Sequence, residues 1–270
     1  MKLQGKVAIV TGTSPNIGGG IVEALAGAGS AIVAVDARKE NAEGCAHAVK
    51  AAGGRAIGIV CDVVDEGQVE AAIEQAMSEF GQIDILVNNA AFFNQKDIAS
   101  MPLAEWRQQI SVILDGTFLF TKYAAPKMIA GGAGVVINVV STAGHQGQPG
   151  NIAYTTAKAG LLNFTRSAAM EYARYGVRVV SLTPTATDFG EFAERAKRWN
   201  IELGPQPDYS AISARFASRV PMLRLPNPSD YGAAAVFLAS DDAAMITGCD
   251  LRVDGGAVAR YWAWEPADEQ

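Results

Sequence analysis

Short runs of β-branched and other apolar residues recur along the chain, separated by alanine-rich stretches whose apolar positions repeat at helical spacing. The runs at 7–10, 31–35, 56–60, 83–87, 135–140, 177–182 and 251–253 predict seven strands alternating with helices. Most are apolar at consecutive positions rather than at every second one, which suits strands buried on both faces of a parallel sheet. The expected fold is therefore α/β: a single-domain, doubly wound, seven-stranded parallel sheet with helices on both faces. Such sheets bind ligands beyond the carboxyl ends of their strands, so polar residues just after each strand are the candidates for chemistry.

Two regions break the rhythm. Residues 185 to about 222 mix Phe189, Phe192, Trp199 and Tyr209 with charged residues and prolines. A connection of that length is expected to serve as a lid over a substrate. The second is a tail, 257–270, in which Tyr261, Trp262 and Trp264 precede an acidic end. No internal repeat or interdomain linker interrupts the rest, so 1–270 reads as one domain.

Composition narrows the function classes. The net charge of −6 comes without a basic stripe, which argues against nucleic acid as partner. Cys45, Cys61 and Cys249 are odd in number and widely spaced, which fits neither a disulfide framework nor a metal site. The start of the chain carries no export pattern, and the apolar runs fall far short of the roughly 20 residues of a membrane span. A cytoplasmic protein with no membrane contact is the expectation.

The first strand runs into Thr11-Gly12-Thr13-Ser14-Pro15-Asn16-Ile17-Gly18-Gly19-Gly20, which opens a helix. Glycines in such a turn let backbone amides approach a pyrophosphate, and the helix amino terminus adds a favourable dipole. Asp36 closes the second strand, where a carboxylate accepts the hydroxyls of an adenosine ribose and repels a 2′-phosphate. The expected cofactor is NAD rather than NADP. Arg38, two residues on, is the counterweight, since a guanidinium can meet that phosphate.

With N-N-A at 88–90 and Y-x-x-x-K at 154–158, preceded by Ser141, these motifs resemble the short-chain dehydrogenase/reductase family, a Rossmann-fold group of nicotinamide oxidoreductases. The similarity runs from about Lys6 to Gly256. It implies that Gly12, Asn16, Ile17 and Gly18 form the cofactor turn, that Asp36 binds ribose, and that Asp62 and Val63 lie at the adenine. It further implies Asn89 and Ala90 beside the adenosine ribose, Pro184 and Thr187 at the nicotinamide carboxamide, and a homotetramer as the working form.

Some positions depart from the family pattern. Asn16 replaces a glycine of the turn, and asparagine tolerates positive φ, so the turn is expected to keep its shape. Ala91 and Thr185 replace two further glycines. Ile113 stands where the family carries a catalytic asparagine whose carbonyl holds a water near the lysine; a relay altered rather than absent is expected.

Tyr154 and Lys158 are four residues apart in a helical stretch and share one face. Oxidising an alcohol requires a base for the hydroxyl proton, and reducing a ketone requires the same group as an acid. A phenol with a pKa near ~10 must come down by roughly 3 units, about 4 kcal/mol, to act near neutrality. Lys158 as ammonium and an oxidised nicotinamide are the expected sources, and Lys158 would also hold the nicotinamide ribose. Ser141 would orient the substrate oxygen.

Around this triad, Phe92, Phe93, Thr142, His145, Gln148, Thr185 and Phe189 suggest a medium-sized, largely apolar secondary alcohol or ketone. His145 reads equally as a packing residue. Competing readings are an NADPH-preferring reductase of acyl thioesters, a non-catalytic NAD-binding regulator, and a sugar-nucleotide epimerase, for which a carboxy-terminal domain is lacking.

Overall fold

The computed structural model describes residues 1–204, 208–261 and 265. Among these residues the strands β1 (Val7–Thr11), β2 (Ala31–Asp36), β3 (Ala56–Val60), β4 (Ile85–Asn88), β5 (Gly134–Val139), β6 (Val177–Pro184) and β7 (Asp250–Val253) form one sheet. Every pairing is parallel, and the strand order is β3-β2-β1-β4-β5-β6-β7. The seven strands, the doubly wound topology and the single domain expected from the apolar pattern are all present.

Alternation within each strand divides the core in two. Ala8, Val10, Ile32, Ala34, Ile85 and Val87 face helices α1 (Ile17–Gly27), α2 (Lys39–Ala51) and α9 (Pro228–Ala239). Val7, Ile9, Val33, Val35 and Leu86 face α3 (Glu66–Phe80), α5 (Gly116–Ala130) and the end of α6 (Ile152–Tyr172). Period-two side chains in strands that are apolar throughout are what two helical layers require. The chain leaves β1 toward β2 on one side and reaches β4 on the other, so a crevice opens at the carboxyl ends of β1 and β4.

The path from α4 (Leu103–Ile110) to α5 is continuously helical, joined by a wider turn at Ser111–Asp115 in which Gly116 N–H reaches back to Ser111. The irregular stretch after β6 contains α7 (Gly190–Arg198) and α8 (Ser210–Ala217). Trp199, expected in a lid, is 1% exposed and belongs to the core beneath α1 and α2. Apolar area removed from water outweighs whatever mobility the local sequence suggests. Tyr261 is exposed, whereas Trp262 and Trp264 lie outside the described residues.

Among the described residues, no helix is long and apolar enough to cross a membrane, and no group of three or more His, Cys, Asp or Glu is arranged to hold a metal. The three cysteines are unbridged.

Candidate active site

A cleft of about 570 Å³ fills the crevice, and its walls include Gly12, Asn16, Ile17, Gly18, Asp36, Asp62, Val63, Asn89 and Ala90. Nine positions singled out from the sequence thus come together. The walls fit closely. A Cβ on Gly12, where φ is +71°, would stand 2.8 Å from Ala90 Cα, and a Cβ on Gly18 would overlap the Gly12 carbonyl oxygen. Only glycine leaves these backbones accessible. β4 clamps the turn from the other side: Asn89 Nδ2 donates to the carbonyls of Gly12 (2.8 Å) and Thr11 (3.1 Å), and Asn89 and Ala90 amides both donate to Thr11 Oγ1.

Asn16 differs from expectation. Its φ is −93°, so it does not use the left-handed conformation that asparagine tolerates. Asn16 stands at the amino end of α1 with negative φ and ψ of −132°, and the positive φ of the turn falls on Gly12. Its side chain makes no capping bond, and Asn16 Oδ1 and Thr13 Oγ1 are buried without a hydrogen-bond partner among the described residues. Buried polar atoms without partners are costly and await a ligand or water. Narrow glycine walls, a helix amino terminus and the Thr13 hydroxyl, which can donate, suit a dinucleotide pyrophosphate.

At the far end of the cleft Asp36 Oδ1 accepts the Arg38 amide at 2.9 Å and Asn41 Nδ2 at 3.2 Å. Burial raises the Asp36 pKa, and these hydrogen bonds oppose the shift. Asn41 was not foreseen; its only signal is its place in the first turn of α2, five residues after Asp36. Gln108, Ser111 and Val112 also line the cleft without having been expected.

Ser141, Tyr154 and Lys158 form a second cluster beyond β5. Ser141 heads a single turn, Thr142–Gly144, and its hydroxyl accepts the Ala143 amide. That turn lies directly on α6, since a Cβ on Gly144 would come within 2.9 Å of the Lys158 carbonyl carbon. Ser141 stands close enough to the Tyr154 phenol to act against its upward pKa shift, and Lys158 Nζ lies 5.6 Å from the Tyr154 ring centroid while donating to the Val139 carbonyl at 2.6 Å. Phe93 packs edge-on against Tyr154 at 5.2 Å between centroids. Its neighbour Phe92 lines the cleft, so this pair of residues joins the two clusters.

The electrostatics depart from the sequence-based expectation. Burial pushes the Tyr154 phenol above its usual pKa, with Ser141 opposing the shift, and burial pulls Lys158 down to about 7. Desolvation disfavours either charge alone. Lys158 is 2% exposed, so its stem is enclosed by the core rather than by water.

Other expected positions lie elsewhere. Thr187 Oγ1 lies within 3.3 Å of the Thr185 carbonyl and of Tyr231 Oη, and neither it nor Pro184 lines the cleft. Thr142 donates to Thr185 Oγ1 at 3.4 Å, which ties the Ser141 turn to the end of β6. His145 Nε2 stands 3.2 Å from Asp250 Oδ2 and 3.3 Å from Thr183 Oγ1, the packing role of its two readings. Gln148 accepts from Asn151 Nδ2, and Phe189 stacks on Tyr209. The Ile113 side chain is buried against Val140, Ala157 and Leu161, and its carbonyl accepts Thr117 Oγ1 at 2.7 Å. Packing against α6 thus replaces the polar side-chain bonds of the usual asparagine.

Comparison with known proteins agrees with this geometry. The family model described as Enoyl-(Acyl carrier protein) reductase matches residues 12–258. A D-threitol dehydrogenase from Mycolicibacterium smegmatis is 37% identical over 257 residues, covering 94% of both chains. A cis-4-hydroxycyclohexanecarboxylate dehydrogenase from Sinomonas cyclohexanicum is 38% identical over 255 residues, covering 94% of this chain and 97% of its own. Among solved structures, an NAD+-bound xylitol dehydrogenase superposes with a TM-score of 0.85 at 30% identity, over 95% of this chain and 100% of its own. A gluconate 5-dehydrogenase from Burkholderia cenocepacia J2315, in complex with NADP and tartrate, gives 0.85 at 31% identity, over 96% of this chain and 98% of its own. With a matched family model across nearly the whole chain, relatives of this identity and the same parallel sheet, the chain belongs to the short-chain dehydrogenase/reductase family of oxidoreductases.

Proposed function

We propose that the protein is an NAD-dependent dehydrogenase acting on a secondary alcohol, or on the corresponding ketone in reverse. The observation that carries this reading is the convergence of Ser141, Tyr154 and Lys158 on α6 and the turn packed against it, joined through Phe92 and Phe93 to the glycine-walled cleft. When bound, the oxidised nicotinamide supplies the hydride acceptor and a positive charge.

The chain's own residues do the rest. Ser141 holds the substrate oxygen, and Tyr154 takes its proton as a base or returns it as an acid. Lys158 is fixed by the Val139 carbonyl, and its ammonium form stabilises the phenolate, so the two titrate as a coupled pair. Lys158 also holds the nicotinamide ribose, while Pro184 and Thr187, which lie outside the cleft walls, would be reached only by a carboxamide that extends beyond them. Gly12, Asn16, Ile17 and Gly18 cradle the pyrophosphate, and Asp62, Val63, Asn89 and Ala90 line the adenosine side.

Asp36 at the end of β2 supports NAD, because a buried carboxylate repels a 2′-phosphate. Arg38 at the same wall favours the NADPH-dependent thioester reductase as the second reading. Phe93 beside Tyr154 supports a substrate with an apolar face, and both D-threitol and cis-4-hydroxycyclohexanecarboxylate, named for the two relatives, carry secondary hydroxyls.

The test is cofactor reduction followed by absorbance over a panel of polyols and cyclic secondary alcohols, with NAD+ and NADP+ in parallel. Wild type is expected to prefer NAD+. Tyr154→Phe should lower kcat by roughly 10²–10⁴-fold while still binding NAD+. Turnover that survives loss of the phenol hydroxyl rejects the mechanism, and preference for NADP+ transfers the argument to Arg38.

A further inference from the structure

The proposed chemistry makes no use of Arg195, yet this arginine, on α7, is only 3% exposed. Its guanidinium donates through Nη1 to the Pro15 carbonyl at 3.0 Å, through Nε to Glu23 Oε2 at 3.0 Å and through Nη2 to Glu191 Oε2 at 2.8 Å. Both carboxylates are held in turn. Glu23, on α1, accepts Arg198 Nη2 at 2.8 Å and Trp199 Nε1 at 3.3 Å, and Glu191 accepts Ser229 Oγ of α9 at 2.6 Å. Two cations thus face two anions, which offsets the burial of charge. Gly19 makes room for the cluster, since a Cβ there would meet Arg195 Cδ at 2.7 Å and the Trp199 ring at 2.8 Å.

Pro15 lies in the turn that walls the cleft, between Ser14 and Asn16, both of which line it. A carbonyl aimed into that cleft would repel a pyrophosphate. Arg195 holds the Pro15 oxygen instead, and in a trans peptide the Asn16 N–H then points the opposite way. We infer that Arg195 is a positioning residue for the dinucleotide, fixing the orientation of the Pro15–Asn16 peptide from α7. The inference rests on the reading of this cleft as a dinucleotide site.

The experiment measures NAD+ affinity by calorimetry, beside kcat and both KM values, for wild type, Arg195→Met, Arg195→Lys and Glu191→Gln. Arg195→Met should raise Kd and KM for NAD+ about tenfold or more, with kcat within about threefold and the alcohol KM within about twofold. Arg195→Lys should recover only part of the loss, because one ammonium cannot span three acceptors set for a planar fork. If Arg195→Met does not fold, Glu191→Gln carries the test with an expected rise in Kd of several-fold. Unchanged NAD+ affinity in the folded variants overturns the inference, as does a parallel fall in kcat and in both affinities, which marks a loosened fold. Wild type that binds neither NAD+ nor NADP+ removes the functional reading and this inference together, an outcome separable from one confined to the variants.

Discussion

At the residue scale, Lys158 shows what the site costs the fold. Its pKa is about 7 in the folded chain because burial disfavours the ammonium, against an ordinary value of 10.5. Between these values the unfolded chain holds a proton that the folded chain lacks, so stability rises with pH across that window. Below pH 7 the penalty is complete, on the order of 5 kcal/mol at 1.36 kcal/mol per unit; above about 10.5 it vanishes. Lys158→Met, which cannot be charged, should therefore melt higher than wild type at pH 6, with the difference shrinking by pH 9, while losing activity. A melting difference that does not depend on pH would contradict desolvation as the cause. The positions of Asp36 and the turn glycines were legible from their places after strands, and those of Tyr154 and Lys158 from their four-residue spacing on a helix. The directions of the Tyr154 and Lys158 shifts were not, since they follow from burial by residues distant in sequence.

At the element scale, helix α1, which follows the glycine turn, makes a close crossing with α9. A Cβ on Gly20 would come within 2.5 Å of the Pro228 carbonyl carbon, and one on Gly232 within 2.6 Å of the Gly20 carbonyl oxygen and 2.7 Å of Ala24 Cβ. Both obstacles at Gly232 are packed atoms of a helix, not flexible side-chain ends. Gly232→Ala should cost about 1–3 kcal/mol through overpacking and lower Tm by roughly 2–10 °C at this chain length, read by thermal unfolding. An unchanged Tm would mean that the helices part at little cost. Helical periodicity announces α1 and α9 but not that they touch, because the glycines that permit contact look the same as glycines that merely bend a chain. The wider turn at Ser111–Asp115 is hidden for a similar reason: its apolar residues read as ordinary helix, and Ile113 is set by packing on α6.

At the scale of the whole molecule, the strand order places the cleft at the switch between β1 and β4, and the proposed ligand would touch β1, β2, β3 and β4 ends together. A ligand that binds only the folded chain stabilises it by mass action. NAD+ at about 100 times its Kd should add roughly 2.7 kcal/mol, seen as a rise in Tm that grows with nucleotide concentration. NADP+ at the same concentration should give a smaller rise, since Asp36 disfavours it. Equal shifts from both nucleotides would remove Asp36 as the discriminating group.

The order and type of the strands, the two-faced burial of the sheet and the chain positions of the glycine turn, Asp36, N-N-A, Ser141, Tyr154 and Lys158 were determined by the sequence itself, through local periodicity and short spacings. Tertiary structure alone decided that Trp199 enters the core, that Asn16 keeps negative φ, that His145 turns to Asp250, and that Arg195 reaches the Pro15 carbonyl of the glycine turn. Each of these depends on partners far away along the chain, as with Arg195 and Glu23, 172 residues apart. Local patterns encode which face of an element is apolar; desolvation and packing, which decide what that face meets, arise only once distant elements share one interior.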